Sequence, residues 1–309
     1  MAIPVFSGAD VEAAVSPERA LAAVRDAFVA YAKGEWTMPP KVYVPAYPAG
    51  DFRAMPALGG GHALLKWVTS FPGNPAHGLP TVTGLVLLSD ASNGLLVAAL
   101  DAGAVTALRT GAAAVLAAET LGRDGDAAVV GAGVNGRAVA RTFAALGRRV
   151  LVNDVEDSRA RSVADELGAQ VAAREEALAA PVVVTVTPSR APVFVSGSLR
   201  AGQHVSLMGA DGPGKSEINV EELARVRVFC DDWEQASHNG DLAHAVEANR
   251  VARADVTQLG DVLAGKADGR RAGDEITVFD STGLAIQDLA IALAAIERED
   301  ELDLPTLEL

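Results

Sequence analysis

Residues Ala127–Gly136 read AAVVGAGVNG, an apolar run of strand length that ends in the pattern Gly131-x-Gly133-x-x-Gly136. The residues that follow, Arg137–Leu146, have the composition of a helix. A strand, a glycine turn and a helix in this order predict a unit that binds a dinucleotide. Gly131 would permit the tight turn, Gly133 would let the backbone approach a pyrophosphate, and Gly136 would let the helix pack closely on the strand.

The next strand-like run, Arg149–Asp154, ends in an acidic residue. A carboxylate in that place can accept both hydroxyls of the adenosine ribose, and it would repel a 2′-phosphate. Asp154 therefore favours NAD over NADP. The alternative is a glycine turn that serves packing alone, and the second strand with its terminal acid argues against it.

The composition limits the class of protein. A length of 309 residues is enough for one large or two ordinary domains, and a hydrophobic fraction of 50% excludes a disordered chain. The formal net charge of −14 argues against nucleic acid and anionic membranes as partners, because both would repel the chain. Only five of the 26 basic residues are lysine, which fits either genome composition or a salt-rich cytoplasm.

Cysteine content and the absence of targeting signals predict a cytoplasmic protein. Cys230 is the only cysteine and lies in an apolar strand-like run, so no intrachain disulfide can form and a core position is expected. The first residues lack a basic segment followed by an apolar one. No uninterrupted apolar run approaches the roughly 18 residues of a membrane span.

The first third of the sequence alternates between helical and strand-like patterns. Residues 8–36 have helical spacing of apolar side chains, with a start signal at Ser16-Pro17 and a stop signal at Gly34. An alanine-rich helix is predicted over residues 101–121. Between these helices, short strand-like runs predict an antiparallel or mixed sheet: Lys41–Pro45, Ala63–Thr69, Thr81–Leu88 and Leu95–Leu100.

Alternation of helices and buried strands continues after Asp154. A helix over Ser158–Leu167, closed by Gly168, is predicted first. A last helix over Leu284–Glu297 has no predicted strand after it and could return to the first domain. The runs between these helices are typical of buried parallel strands: Val182–Thr187, His204–Met208, Val226–Asp231 and Glu275–Phe279.

Three polar segments outside the glycine turn could carry chemistry. Arg53 and Lys66 lie in apolar, strand-like surroundings, where an unpaired charge is costly. The arginine could hold a carboxylate, and burial could lower the pKa of the lysine enough for acid–base work, although a surface pair is the alternative.

Arg109 and Thr110 are expected in the first turn of the alanine-rich helix. An arginine in that place opposes the helix dipole, and a bound anion would explain its presence.

Asp211 is a candidate base. It lies in a glycine-rich loop after a strand, where ligands bind in open α/β sheets.

The five histidines show no spacing typical of a metal site. His238 and His244 flank a short polar segment, but no second cluster of ligand residues accompanies them. We therefore assign no metal.

Nine segments, in order over almost the whole chain, carry a resemblance to a known family. They are Met38–Tyr43, Arg53–Pro56, Lys66–Val68, Pro72–Pro75, Gly78–Val82, Leu108–Ala112, Thr187–Ser189, Gly209–Lys215 and Phe279–Asp288. In these segments the chain resembles the ornithine cyclodeaminase/μ-crystallin family, and within it the NAD-dependent alanine dehydrogenases of the archaeal type.

The resemblance implies an α/β fold in which a Rossmann-like dinucleotide-binding domain is inserted in a second, α+β domain for substrate binding and dimerisation. Residues 1–118 and 285–309 would form the substrate-binding and dimerisation domain, and residues 119–284 the NAD-binding domain. A homodimer is implied as well.

The resemblance also implies roles for individual residues. Lys66 is similar to the family's acid–base lysine and Asp211 to its acidic catalytic residue, and which of the two is the principal base stays open. The positions similar to substrate-binding residues are Arg53, Lys66, Arg109 and Thr282. The expected cofactor-binding residues are Thr81, Arg109, Thr110, Gly131, Gly133, Val134, Asn135, Gly136, Asp154, Thr187, Lys215 and Ser281.

Two positions bear on the activity within the family. Cyclodeaminases resemble one another in having arginine where this chain has Lys41 and an acid where it has Arg53, which disfavours binding of the distal ammonium of ornithine. Arg53 together with Lys66 resembles the arrangement in alanine dehydrogenases. We therefore expect reversible, NAD-dependent oxidative deamination of L-alanine to pyruvate and ammonia. The alternatives are an ornithine cyclodeaminase, a ketimine or pyrroline-2-carboxylate reductase, and a non-catalytic NAD(P)H-binding protein of the μ-crystallin type.

Overall fold

The computed structural model describes residues 2–210, 212 and 214–308. The chain folds into two compact units: unit 1 consists of Met1–Arg109 and Leu284–Leu309, and unit 2 of Thr110–Gly283. The sequence placed the first boundary at 118/119, whereas the division falls at 109/110, inside a continuous helix.

The helices and strands follow one another in the order of their numbering. They are β1 (Ala2–Phe6), α1 (Gly8–Ala14), α2 (Pro17–Ala32), β2 (Val42–Ala46), β3 (Gly50–Gly59), β4 (His62–Ser70), β5 (Val82–Asp90), β6 (Leu96–Asp101), α3 (Ala102–Leu121), β7 (Ala127–Val130), α4 (Val134–Ala145), β8 (Val150–Asn153), α5 (Asp157–Leu167), β9 (Gln170–Val171), α6 (Arg174–Ala177), β10 (Val182–Thr185), β11 (His204–Leu207), α7 (Val220–Leu223), β12 (Arg227–Cys230), α8 (Trp233–Ala236), α9 (Asp241–Glu247), β13 (Val256–Gln258), α10 (Leu259–Leu263), β14 (Thr277–Asp280), α11 (Ala285–Ile296) and β15 (Thr306–Glu308).

Unit 1 contains a mixed sheet in the order β15-β1-β6-β5-β4-β3-β2. Strands β2 to β6 pair antiparallel with their neighbours, and β1 runs parallel to β6. The prediction that no strand follows the last helix was wrong. Strand β15 pairs antiparallel with β1, because the free edge of β1 offers backbone groups that a short returning segment can satisfy.

The helical segment predicted over residues 8–36 is divided into α1 and α2. The break lies where the Ser16 side chain accepts a hydrogen bond from the Arg19 amide and Pro17 occupies the first position of the new helix. Pro17 lacks the amide hydrogen that a continuous helix would use, which favours a break at this point, and Val15 and Ser16 are extended. Gly34, with a φ of +77°, ends the segment as predicted.

The two faces of the unit 1 sheet differ in burial. Helix α11 packs on α2 and against β3 and β4, and it covers the face that carries Met55, Lys66 and Val86. The opposite face exposes large apolar side chains, of which Leu65, Trp67 and Leu85 are 41%, 42% and 41% exposed. Val42, Val44 and Leu58 are also exposed. A contiguous apolar face of this kind is typical of a protein–protein interface.

Unit 2 contains an all-parallel sheet in the order β13-β12-β14-β11-β10-β7-β8-β9. The chain runs outward from β7 to β8 and β9, then returns to the other side of β7 as β10. Ligands of open parallel sheets bind at such a reversal, outside the carboxyl ends of the strands. The segments after β7 and β10 therefore lie where a ligand is expected.

Helix α3 is long and apolar enough to cross a membrane by length and composition alone. However, 78% of its apolar stretch is buried inside the protein, as in the core helix of a globular fold. Its alanine-rich sequence follows from this position, because small side chains let a buried helix approach its neighbours closely.

Candidate active site

The glycine turn of unit 2 has the geometry that a pyrophosphate requires. Gly131 has a φ of +103°, and a Cβ on Gly136 would lie 1.7 Å from the Gly131 carbonyl oxygen. A Cβ on Gly133 would meet nothing within 4 Å, so this residue opens onto free space. Gly133 is also the N-cap of α4 and makes no side-chain cap, which leaves the first amides of the helix available to an anion.

Asp154 lies beside this turn. Its Oδ2 accepts a hydrogen bond from the Ala132 amide at 2.6 Å, and its Oδ1 accepts one from the Glu156 amide at 2.8 Å. Each carboxylate oxygen can accept a further hydrogen bond, so capacity for ribose hydroxyls remains. The next residue, Val155, is 98% exposed and uncharged, so it offers no counter-charge to a 2′-phosphate.

A buried acid, Glu217, links the segments that follow β10 and β11. Its Oε1 accepts hydrogen bonds from the amide and the hydroxyl of Thr187, both at 2.7 Å, and its Oε2 accepts one from the Gly209 amide at 2.8 Å. Burial first, and the neighbouring Asp241 second, raise the pKa of Glu217 to about 7. Thr187 therefore reaches the ligand side of the sheet on a segment that Glu217 holds in place.

A second buried acid, Asp231, holds the segment after β14. Its Oδ2 accepts hydrogen bonds from the Ser281 hydroxyl at 2.9 Å and from the amides of Thr282 and Gly283, both at 2.8 Å. Ser281 and Thr282 are buried, and this contact fixes both residues at the carboxyl end of the sheet.

Unit 1 contains a buried charged cluster around Lys66, which is 1% exposed. The Lys66 Nζ donates to Asp288 Oδ1 at 2.7 Å and to Thr106 Oγ1 at 3.0 Å. The Arg109 Nε lies 3.6 Å from the same Asp288 oxygen. These side chains come from β4, α3 and α11, so three elements of unit 1 bring the cluster together.

The surroundings of Lys66 alter its acidity. Burial lowers its pKa from 10.5 to about 8, Asp288 opposes this change, and the guanidinium groups of Arg109 and Arg53 add to it. Near neutral pH the group is therefore mostly charged, yet it can lose its proton at little cost. A lysine in this state is suited to acid–base chemistry.

Arg53 is already paired. Its Nε donates to Asp51 Oδ1 at 2.6 Å and its Nη2 to Asp51 Oδ2 at 3.3 Å, and the two side chains are 11% and 9% exposed. The guanidinium also lies over the Tyr43 ring, 5.4 Å from its centroid. The surface pair that the sequence left as an alternative is therefore excluded for Arg53, whereas its role in holding a carboxylate stays a prediction.

The prediction that Arg109 and Thr110 lie in the first turn of their helix was wrong. Strand β6 passes directly into α3 at Ala102, and the Asp101 carboxylate accepts a hydrogen bond from the Ala104 amide at the helix start. Arg109 therefore lies two turns into α3, where the helix dipole no longer explains its surroundings.

Two expected site residues and Asp288 each have a buried polar atom with no hydrogen-bond partner in the described part of the chain. They are the Nε of Arg109, the Oδ2 of Asp288 and the hydroxyl of Thr110. A buried polar atom is normally hydrogen-bonded, so unpartnered atoms of this kind point to a ligand. In unit 1, Arg109 offers a donor and Asp288 an acceptor close to each other.

The structure divides the expected site residues between the units. Asp211 lies outside the described residues. Thr81 precedes β5, and its carbonyl oxygen accepts a hydrogen bond from the Phe71 amide at 2.8 Å. Unit 1 contains Arg53, Lys66, Thr81 and Arg109, and unit 2 contains Thr110, Gly131, Gly133, Val134, Asn135, Gly136, Asp154, Thr187, Lys215, Ser281 and Thr282. Among the described residues, no group of three or more His, Cys, Asp or Glu side chains is arranged to hold a metal ion.

The acids that organise both units were not among the residues predicted for the site. Asp288 had a visible signal, since it is the one charged residue of the apolar helix Ala285–Ile296 and had to be buried with a cation. Asp51 lies two residues from Arg53 on the same strand, which places both side chains on one face. Glu217 and Asp231 carried no comparable signal, because their partners are backbone amides.

The model of the ornithine cyclodeaminase/mu-crystallin family matches residues 4–301. The chain belongs to this family. The alanine dehydrogenase of Archaeoglobus fulgidus is 43% identical to it over 305 residues, which cover 95% of this chain and 94% of that protein. The family assignment is thus confirmed over nearly the whole length.

Two solved structures show the same fold. An archaeal alanine dehydrogenase dimer with bound NAD has a TM-score of 0.94, is 39% identical, and matches 100% of this chain and 99% of its own. The Δ1-pyrroline-2-carboxylate reductase of Thermococcus litoralis, in complex with NADH and L-proline, has a TM-score of 0.92, is 27% identical, and matches 99% of this chain and 100% of its own. The expected α/β fold with a Rossmann-like domain is confirmed, whereas the activities of these relatives differ.

Proposed function

We propose that this protein is an NAD-dependent oxidoreductase that interconverts L-alanine with pyruvate and ammonia. The observation that carries the proposal is the buried cluster of Lys66, Asp288 and Arg109, which provides one lysine with a lowered pKa beside an arginine with a free donor. Similarity to alanine dehydrogenases over nearly the whole chain supports it.

The nucleotide-binding residues of unit 2 fit NAD. The backbone at Gly133 and the first amides of α4 would hold the pyrophosphate, and Asp154 would hold the adenosine ribose. When bound, NAD supplies the acceptor for the hydride that leaves the α-carbon of the amino acid. The carboxylate of Asp154 disfavours the additional phosphate of NADP.

The charge balance of the unit 1 cluster supports a monocarboxylate substrate. Arg53 and Asp51 cancel each other, while Lys66 and Arg109 face the single carboxylate of Asp288. One positive charge is left, which matches one substrate carboxylate. A second carboxylate or a distal ammonium would gain no compensating charge from these five side chains. The cluster therefore favours an amino acid with a small, uncharged side chain.

Lys66 is suited to the proton transfers that deamination needs. After loss of hydride, water adds to the imine carbon, and ammonia leaves as the carbinolamine collapses to pyruvate. A group with a pKa of about 8 can accept a proton from the attacking water and return it to the leaving nitrogen near neutral pH. Asp211 is expected to share these transfers.

A cyclic-imine reductase is the second candidate. It is favoured by the likeness to the pyrroline-2-carboxylate reductase of T. litoralis. The same charge balance suits it, since pyrroline-2-carboxylate also carries one carboxylate and no other charge that needs a partner in the cluster.

We also propose that the protein is a homodimer that buries the exposed apolar face of the unit 1 sheet. Six large apolar side chains on one sheet face are costly to leave in water, and the related archaeal alanine dehydrogenase is a dimer.

Steady-state assays of the purified protein test the proposal. NADH should form with L-alanine and be consumed with pyruvate plus ammonia, and Lys66→Ala should abolish both reactions while NADH still binds. NADH consumption with pyrroline-2-carboxylate but not with pyruvate and ammonia would favour the second candidate. Release of proline from ornithine without net NADH would contradict the dehydrogenase proposal, and binding of NADH without turnover of any substrate would favour a non-catalytic protein.

A further inference from the structure

Asp288 is the only carboxylate within hydrogen-bond distance of Lys66 among the described residues. Its Oδ1 accepts a hydrogen bond from the Lys66 Nζ at 2.7 Å and lies 3.6 Å from the Arg109 Nε, and both the lysine and the acid are buried. Asp288 lies in the first turn of α11, where the helix dipole stabilises a carboxylate.

The other groups around Lys66 act against its positive charge. The guanidinium of Arg109 approaches from α3, and that of Arg53, partly compensated by Asp51, approaches from β3. Its nearest neighbours across the strands are the apolar residues Met55 and Val86. Thr106 adds only a neutral hydroxyl. Without Asp288, the ammonium would be buried between like charges with no compensating anion, and it would lose its proton.

We propose that Asp288 is the positioning residue of this cluster, which keeps Lys66 charged and fixed beside Arg109 so that the pair can receive a substrate carboxylate. The role in turnover rests on the proposed function, whereas the effect on Lys66 does not. Asp288 acts through Lys66 and Arg109 and needs no contact with the reacting atoms.

The protein has few lysines, which makes the effect directly measurable. The five lysines are Lys33, Lys41, Lys66, Lys215 and Lys266. NMR of protein labelled with ¹³C at the lysine ε-carbon therefore gives five signals, and Lys66→Arg identifies that of Lys66. The pH at which this signal titrates reports the protonation of Lys66 without any substrate.

Asp288→Asn removes the charge and keeps the shape of the side chain. We expect the Lys66 signal to titrate at a pH lower by about 1 unit or more than in the unmodified protein. Asp101→Asn is the matched control, because Asp101 caps the start of α3 and asparagine caps equally well. An unchanged midpoint in Asp288→Asn, or an equal change in Asp101→Asn, would overturn the proposal.

A second variant keeps the test decisive if Asp288→Asn does not fold. Arg109→Gln removes a repelling charge and the competitor for the same Asp288 oxygen, so the Lys66 midpoint should rise. A Lys66 midpoint that is unchanged or lower in Arg109→Gln would contradict the described arrangement of Lys66, Asp288 and Arg109.

Kinetics separates this role from the proposed function. In Asp288→Asn, the pH above which kcat/KM for pyruvate declines should move down together with the NMR midpoint of Lys66. In Asp288→Glu, this pH should return part of the way to its value in the unmodified protein. If the NMR midpoint moves but no substrate turns over in the unmodified protein, the proposed function fails while the role of Asp288 stands. If turnover is normal and the midpoint does not move, the role of Asp288 fails alone.

Discussion

The carboxylate of Asp154 accepts a hydrogen bond from the backbone amide of Ala132 at 2.6 Å, within the glycine turn itself. The acid that favours NAD is thus also a structural part of the turn. If Asp154 selects NAD as proposed, cofactor choice and the shape of the glycine turn are coupled in this protein, and changes to one should alter the other.

Asp154→Ser removes two backbone contacts and the charge. NADH affinity should fall by about 10- to 100-fold, which corresponds to about 1.4 to 2.8 kcal/mol. NADPH should lose less or gain, because repulsion of the 2′-phosphate disappears. Fluorescence titration with both nucleotides measures this. Asp157→Ser, in an exposed acid three residues later, is the control, and an unchanged ratio of the two affinities would exclude Asp154 as the selecting residue.

Alanine substitutions at two glycines should have separable effects. A methyl group on Gly136 would lie 1.7 Å from the Gly131 carbonyl oxygen, whereas one on Gly133 would meet nothing within 4 Å. Gly136→Ala should therefore lower both the melting temperature and NADH binding. Gly133→Ala should leave the melting temperature nearly unchanged and weaken NADH binding by about 10-fold or more, since the methyl group would fill the space for the pyrophosphate. Equal NADH binding in Gly133→Ala and the unmodified protein would contradict the placement of the pyrophosphate.

Pyruvate reduction should depend on the charge of Lys66. Because burial lowers the pKa of Lys66 to about 8, the ammonium that we propose to hold the substrate carboxylate is lost as the pH rises through 8. At saturating ammonia, kcat/KM for pyruvate should decline above about pH 8, and this decline should be absent from any residual activity of Lys66→Arg. The same group should stabilise the folded state as the pH rises from about 8 to 10.5, because there the unfolded chain binds the proton and the folded protein does not.

Asp51→Asn should broaden the substrate range. It removes the counter-charge of Arg53, so the cluster gains a second positive charge that is not compensated. We expect kcat/KM for oxaloacetate relative to that for pyruvate, each with ammonia, to rise by about tenfold. Asp26→Asn, in an exposed acid of α2, should change neither value. If the ratio of kcat/KM for oxaloacetate to that for pyruvate is the same in Asp51→Asn as in the unmodified protein, the charge of this cluster does not select the substrate.

The exposed apolar sheet face should be sensitive to charge. Leu85→Arg places a guanidinium on this face, which would be costly to bury in a dimer. Light scattering should show a monomer at concentrations where the unmodified protein is dimeric. Leu146→Arg changes a leucine of similar exposure in unit 2 and should remain dimeric. Dissociation in both variants, or in neither, would argue against this face as the interface.

Helices, strands and turns that are determined by residues close together in the sequence were predictable. The strand, glycine turn and helix at residues 127–145 follow from residues that are close in sequence, and the structure confirms them. The helix Asp157–Leu167 ends at Gly168 in the left-handed conformation, again as predicted. The start of α2 at Ser16 and Pro17 belongs to the same class.

Long-range pairings could not be predicted in this way. Nothing near Lys66 in sequence indicates that Asp288 is its partner, and the hydrogen bonds of Glu217 to backbone amides leave no pattern of residue types. The start of α3 agrees with the helix predicted over residues 101–121, but Arg109 lies two turns into it and not in its first turn, because Asp101 caps the helix directly after β6. The residue types of Lys66 and Arg53 indicated the chemistry of the unit 1 cluster, but only the structure showed that Asp288 and Asp51 are their acidic partners.

The distance along the chain between Lys66 and Asp288 has a consequence for how the protein is made. The two residues are 222 positions apart, and the whole of unit 2 is translated between them. At about 5 to 20 residues per second, Lys66 waits roughly 10 to 45 s on the ribosome before its partner is synthesised. Throughout this interval unit 1 lacks the helix that covers its sheet, and unit 2 is completed only at Gly283, just before that helix. Unit 1, which begins first, thus cannot finish folding until the whole of unit 2 has been synthesised.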